Sequence, residues 1–405
     1  MTSPKLLTVI SAPDWGGLHA VVERTSLFIR ESGFERIVVL PVSDASMRLR
    51  LEQAGCTVIP RNLVRPRKSW NPRLAWNFAC HFASDIKELC AIARDNDISI
   101  IEAAGLHNLQ PVMAARRLDL PLVWQFHSTA APRPIRVAIG HLASRLAAVV
   151  MTSGKGMIPR HGGLKKIADR ILPFCAPLDV SRFRRDPEIR RQIRSAWGYA
   201  DHDVVVGTLG NRGWQKNQGM IVDIACRVRD RNFPFKFAIC GNPLNTNVAY
   251  FESKVASPIA QYGLSQGDYV RIFPQTVAPE IILNAFDVFI LTSVAEGASL
   301  VTAEAMATGL PVIATDVGSL PDIVHENENG MLVPVNDVER AANALRLLAD
   351  PELRARMGCR SRGIAVSSIS SERCARAHVE AYQRALRTGS CRTMLQHAAK
   401  AGSTV

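Results

Sequence analysis

A chain of 405 residues, 47% hydrophobic and 21% charged, has the composition of a folded protein of two or three domains and excludes intrinsic disorder. No apolar run approaches the roughly 20 residues that cross a bilayer, and the short apolar start reads as a buried strand instead of a signal peptide. The formal net charge of +13 is unevenly spread: residues 1–178 carry 23 Lys and Arg against 13 Asp and Glu, residues 179–405 carry 26 against 23. Such a field attracts phosphates, nucleic acid or an anionic membrane surface, and no nucleic-acid motif accompanies it.

In chain order, residues 6–11 read as a strand, 19–32 as a helix ended by Gly33, and 36–40 as a second strand. Residues 98–103, 122–126, 147–152 and 170–174 repeat the short apolar pattern, with helical stretches between them. The pattern restarts at 204–209, 235–240, 269–273, 288–291, 311–314 and 331–333. This alternation predicts an α/β fold of two Rossmann-like, doubly wound domains facing across a cleft, with ligands at the carboxyl ends of the strands. The Pro- and Arg-rich stretch 173–185 reads as the linker, so the domains are expected at 1–178 and 179–370. Residues 371–387 have a helical period, and 389–405 are expected to form a flexible tail. Nine cysteines stand singly with no C-x-x-C pair, which predicts free thiols and a cytoplasmic protein.

The most informative stretch is 292–318, TSVAEGASLVTAEAMATGLPVIATDVG. A buried strand runs into a loop holding Glu296 and Gly297, and a helix begins near Leu300 with Ser299 as N-cap and Gly309 beyond its end. Backbone N–H groups at such a helix start favour an anion. Glu296 in the loop and Glu304 one turn into the helix are placed to grip two parts of one ligand. A capped helix carrying two solvated acids is the alternative. A second stretch, 207–217, is a glycine loop after a strand with Arg212 and Lys216, two cations suited to a departing phosphate. Asp14, Trp15, Gly16 and Gly17 form a glycine loop between the first strand and its helix. His127 follows the strand 122–126; Glu102 and His107 lie at a similar depth and carry no assigned role. Two Asp-x-Asp strings, at 95–97 and 201–203, precede strands and so stand at the wrong end for a ligand, and no metal is expected.

Stretch 292–318 resembles the E-x7-E signature of family-4 retaining glycosyltransferases (glycosyl transferases group 1, GT-B fold), with residues 304–312, EAMATGLPV, matching its continuation. The resemblance implies a retaining transferase acting on a nucleotide-diphosphate sugar, with a glycan or lipid-linked acceptor, in polysaccharide or glycolipid synthesis, and the placing of the Asp-x-Asp strings makes it metal-independent. It implies Glu304 on the ribose, Glu296 on the donor sugar, and amides around Ser299, Leu300 and Val301 on the diphosphate. Lys216 and Arg212 correspond to the family's G-R-x-x-x-x-K element, with Asn211 at the usual Arg position. Gly16 and Gly17 correspond to its Gly-Gly pair near the reaction centre, and His127 to its strand-ending His. Ala298 and Ser299 depart from the usual aromatic and glycine, and Cys175 stands where the interdomain segment usually has Gly. The first domain becomes the acceptor side, the second the donor side, and a helix about 371–388 is expected to pack back on the first. Base recognition is expected after strand 269–273, at Pro274 and Gln275. A nucleotide-sugar epimerase of the same architecture and a non-catalytic nucleotide-binding relative are the competing readings.

Stretch 61–87 mixes Arg61, Arg65, Arg67, Lys68 and Arg73 with Trp70, Trp76, Phe78 and Phe82. Two readings fit it: contact with an anionic membrane through Arg65, Arg67 and Lys68, peripheral on its inner face, or a loop and helix whose aromatics enter the core.

Overall fold

The computed structural model describes residues 3–13, 15–41, 45–64, 72–229, 233–243, 247–266 and 269–401, with the backbone alone at 74, 75, 77 and 389–401. Asp14, Arg65, Arg67, Lys68 and Trp70 lie outside the described residues. The chain divides into two compact units, Met1–Pro177 with Ser371–Val405, and Leu178–Ser370. The architecture is α/β, with one parallel sheet and its covering helices in each unit.

The first unit holds strands β1 (Lys5–Ile10), β2 (Glu35–Leu40), β3 (Thr57–Pro60), β4 (Ile98–Ala104), β5 (Leu122–Phe126), β6 (Val149–Thr152) and β7 (Ile171–Pro173). They lie in the order β3-β2-β1-β4-β5-β6-β7, all parallel. The strands are almost wholly buried, as a sheet covered on both faces requires. Helices α1 (Gly17–Glu31), α2 (Ala45–Gln53), α3 (Pro72–Asp95), α4 (Leu109–Leu118) and α5 (Arg133–Leu146) connect them. Strand order reverses between β1 and β4, so the loops after these strands diverge and leave a crevice at their carboxyl ends.

The helix Ser371–Ala401 returns to this unit, against α1 and β4 to β7. Cys374, Ala375, Ala381, Tyr382 and Ala385 bury one face of it with Leu6, Ile100, Val123 and Val149. It continues to Ala401, through most of the residues expected to form the tail. Past Gly389 three Ala, with Leu395, Met394, Lys400, Arg392 and Gln396, are good helix formers.

The second unit holds β8 (Val204–Leu209), β9 (Phe235–Cys240), β10 (Val270–Phe273), β11 (Val288–Leu291), β12 (Val312–Thr315) and β13 (Gly330–Val333), parallel in the order β10-β9-β8-β11-β12-β13. Its helices are α6 (Pro187–Ala196), α7 (Gly219–Arg227), α8 (Val248–Phe251), α9 (Ser257–Gln261), α10 (Pro279–Asn284), α11 (Leu300–Ala307), α12 (Val338–Leu347) and α13 (Pro351–Ser368). The switch point falls between β8 and β11. A Cβ on Gly207 of β8 would come within 2.3 Å of the Phe286 ring, so glycine lets the segment before β11 pack flat on the sheet. Part of the arginine-rich start of this unit is structural: Arg185, Arg190 and Arg194 converge on Asp287, whose carboxylate also accepts the Val205 N–H. None of the described cysteines forms a disulfide.

Candidate active site

In the second unit the loops after β8 and β11, the two strands flanking the switch point, are laced together. Val294 donates its N–H to the Gln215 carbonyl at 2.9 Å, and the Gln215 side chain donates to the Ala295 carbonyl at 3.0 Å. The Thr292 hydroxyl lies 3.1 and 3.0 Å from the Lys216 and Asn217 carbonyls. This bracing brings together two of the residues singled out in the sequence. Lys216 Nζ lies 2.7 Å from Glu296 Oε1, and the Ser293 hydroxyl donates to the same oxygen at 2.6 Å. Glu296 is buried while Lys216 keeps part of its surface open. An ammonium and a carboxylate therefore meet at the carboxyl end of the sheet, with one partner still accessible.

The Glu296 loop is backed by the loop after β12. Thr315 Oγ1 donates to the Ser293 carbonyl and Ser319 Oγ to the Gly297 carbonyl, both at 2.6 Å. Gly318, at φ +59, passes so close that a Cβ there would stand 2.5 Å from the Glu296 carbonyl oxygen. Only glycine meets both demands.

Helix α11 begins where that loop ends. Ser299 occupies the N-cap position, but its hydroxyl pairs with Thr302 Oγ1 at 2.8 Å and caps no backbone amide, a correction to the expected cap. Its backbone is left-handed, φ 36 and ψ 73, an uncommon conformation for serine that turns the chain sharply into the helix. The Thr302 and Ala303 amides donate to the Ser299 carbonyl. The Leu300 and Val301 amides have no acceptor among the described residues and stand at the positive end of the helix dipole. Glu304, buried, follows Leu300 by four residues and Val301 by three, which places it on their face of the helix. Arg182 lies within its electrostatic reach and is ion-paired to Glu280 at 2.7 Å, with Glu280 as the larger influence.

Among the described residues no hydrogen bond or ion pair joins Arg212 to the Lys216–Glu296 pair. Its guanidinium lies over the Phe251 ring, 4.9 Å from the centroid, and its buried Nε has no acceptor among the described residues. Trp214, between the two cations in sequence, is half exposed. Gln275 donates its N–H to Asn242 Oδ1 at 3.1 Å, in the loop after β10 where a base contact is expected.

In the first unit Gly16 and Gly17 lie between β1 and α1. The Gly16 N–H points to Nδ1 of the buried His19 at 3.3 Å, and Trp15 stacks between His19 and Arg50. His127, half-buried just after β5, sets Nε2 2.6 Å from Gln125 Oε1 and its ring against Phe174. Burial and the neighbouring His378 push it down to about 3, so the ring is neutral at physiological pH.

Behind His127 lies a network the sequence reading did not assign. The fully buried Glu102 accepts from Thr8, Gln125 and Tyr382, each at 2.6 Å, with Arg36 3.7 Å away. Arg36 also donates to the Tyr382 hydroxyl at 2.6 Å. The available signal was a glutamate inside the apolar run of β4 and an arginine at the start of β2: charges in buried strands need partners. The Asp-x-Asp strings do lie at the amino ends of strands, where Asp97 takes φ 52 before β4 and Asp203 accepts the Ala200 N–H before β8. No helix of the described residues is long and apolar enough to cross a membrane.

Comparison with known proteins agrees with this layout. Residues 203–350 match the family model described as glycosyl transferases group 1. Over 396 residues the chain is 25% identical to the D-inositol 3-phosphate glycosyltransferase of Nocardia farcinica, covering 92% of this chain and 86% of that one. It is 27% identical over 251 residues to the lipopolysaccharide core biosynthesis mannosyltransferase LpsB of Rhizobium meliloti, covering 61% and 68%. The fold is similar to that of Anabaena Alr3699/HepE, solved in complex with UDP and glucose, at TM-score 0.76 and 19% identity over 94% of this chain and 99% of that one. These neighbours are GT-B glycosyltransferases, and the two-sheet architecture described above is theirs.

Proposed function

We propose that this chain, whose residues 203–350 match the group 1 glycosyltransferases, moves a sugar from a nucleotide-diphosphate donor to a glycan or lipid-linked acceptor with retention at the anomeric carbon. The observation that carries this reading is the grouping at the β8–β11 switch point. Glu296 is held by Lys216 and Ser293, the Leu300 and Val301 amides lie open at the start of α11, and Glu304 sits one turn inside. In this reading the amides take the diphosphate, Glu304 the ribose and Glu296 the donor-sugar hydroxyls.

The bond between C1 and the phosphate oxygen breaks, and the acceptor hydroxyl oxygen bonds to C1 on the same face. The acceptor proton passes to the departing phosphate oxygen. Lys216, Arg212 and the helix amides offset the charge gathering on that phosphate, so the reaction is assigned no metal. His127 and the Gly16–Gly17 loop are assigned to the sugar, and the first unit to the acceptor.

Structural neighbours of this chain were solved with UDP and with UDP-glucose, which makes uridine the first base to test. Calorimetric titration of UDP, GDP and ADP without metal is expected to show one nucleotide binding, with affinity lost in Glu304→Ala. Absence of binding by all three would sink the assignment. Product analysis without acceptor separates the transferase from an epimerase.

Trp76 on α3 is 73% exposed, and the sequence before it carries Arg61, Arg65, Arg67, Lys68 and Arg73, a combination that favours a lipid-linked acceptor and peripheral attachment at the cytoplasmic face of a membrane. Co-sedimentation with anionic vesicles unchanged by Trp76→Ala and by charge reversal at Arg65, Arg67 and Lys68 would count against this attachment.

A further inference from the structure

We propose that Gln125, oriented by Glu102, locks His127 in its Nε2–H tautomer and so leaves Nδ1 as the lone pair the ring offers a sugar hydroxyl. The inference deepens the proposed function and rests on its reading of His127 as a donor-sugar contact.

Each partner in the network fixes the hydrogen-bond direction of the next. Arg36 can only donate, so the Tyr382 hydroxyl accepts from it at 2.6 Å and must turn its own hydrogen to Glu102 Oε1, also at 2.6 Å. Glu102 thus faces donors on every side: Tyr382, the Thr8 hydroxyl at 2.6 Å and the Gln125 amide at 2.6 Å. A carboxylate has only lone pairs, so Gln125 must present its NH2 end to it. The other end of the same amide, Oε1, then points to His127 Nε2 at 2.6 Å. A carbonyl oxygen only accepts, so Nε2 carries the hydrogen.

Burial keeps the imidazole neutral, and a neutral ring has one N–H. Nδ1 is therefore an acceptor, and it has no hydrogen-bond partner among the described residues. Phe174 packs against the ring at a centroid distance of 5.2 Å and resists its rotation. Gln125, Glu102, Thr8, Arg36 and Tyr382 act on the sugar through His127 alone, as positioning residues. Two of them lie far apart in the chain: Arg36 on β2, and Tyr382 on the helix that returns from the C-terminus.

The test is a long-range nitrogen–proton correlation spectrum of protein labelled on histidine, with the His127 signals assigned by their loss in His127→Ala. Nε2–H is expected in the wild type, and a dominant Nδ1–H tautomer would overturn the proposal without any variant. Gln125→Met, close in size and with neither amide hydrogens nor a carbonyl oxygen, should relax the ring towards the tautomer mixture of a free histidine and lower kcat about tenfold at unchanged nucleotide affinity. An unchanged tautomer in Gln125→Met would refute the role of Gln125 even if activity fell. A changed tautomer with full transferase activity would uphold the positioning and refute the contact between His127 and the donor sugar.

Discussion

Lys216 and Glu296, eighty residues apart in sequence, meet at 2.7 Å at the carboxyl end of the second sheet. The pair holds a buried carboxylate and a partly open ammonium in one geometry, and each sets the worth of the other. Lys216→Met leaves Glu296 buried beside Ser293 alone and removes a cation from the proposed leaving-group site. Transfer is expected to fall about 10²- to 10³-fold, the cost of one electrostatic stabiliser of a transition state. Steady-state kinetics with the donor concentration varied checks this. A loss confined to KM, with kcat intact, would show that Lys216 binds donor and transition state equally.

Gly318 tests the support of that pair without touching a ligand. Gly318→Ala places a methyl 2.5 Å from the Glu296 carbonyl oxygen at a backbone angle that disfavours side chains. The Glu296 loop must move. A stability loss of about 1–3 kcal/mol is expected by chemical denaturation, with a drop in transfer at retained fold by circular dichroism. Full activity in this variant would mean that the position of Glu296 is not critical.

The second unit was legible in the sequence because its signals are local. Strand, Glu296-Gly297 loop, helix, Gly309 and Pro311 follow one another within thirty residues, and each punctuates the next. What the sequence did not disclose depends on partners far apart in the chain. Gln125 finds Glu102 across 23 residues and Tyr382 finds it across 280, so no window along the chain shows the network. The turn of the Ser299 hydroxyl to Thr302, away from the backbone, was likewise invisible, because side-chain direction follows from a left-handed backbone that only the packed loop imposes. Strand β3 escaped notice because it offers only two apolar side chains before Pro60, Val58 and Ile59, and only Val58 is buried.

The neutral His127 has a consequence for pH. Its folded value is pushed down to about 3, below the roughly 6.5 of an unfolded histidine, and burial pushes His378 and His161 down as well. Between these values the unfolded chain binds the extra proton. The contribution to stability is therefore complete above about pH 6.5 and is lost as pH falls through that window towards 3. Melting temperature should decline on acidification, less steeply in His127→Asn. Because the ring stays neutral from pH 5 upward, the transfer rate should show no limb from His127 between pH 5 and 8. A limb near pH 6.5 that vanishes in His127→Asn would contradict this.

The ion pair beneath His127 gives a prediction about stability. Arg36 and Glu102 are both buried, 3.7 Å apart, and joined through the Tyr382 hydroxyl. Tyr382→Phe removes one hydroxyl that both donates and accepts, for an expected loss of about 1–3 kcal/mol. Arg36→Met costs more, about 3–5 kcal/mol, because it strands the Glu102 charge in the core. Replacing Glu102 as well removes that charge, so Arg36→Met with Glu102→Gln should recover part of the loss. Urea denaturation of the three variants decides it. If the double variant is no more stable than Arg36→Met, the cost lies in the lost packing of the arginine stem, and the buried charge is not what the network exists to balance.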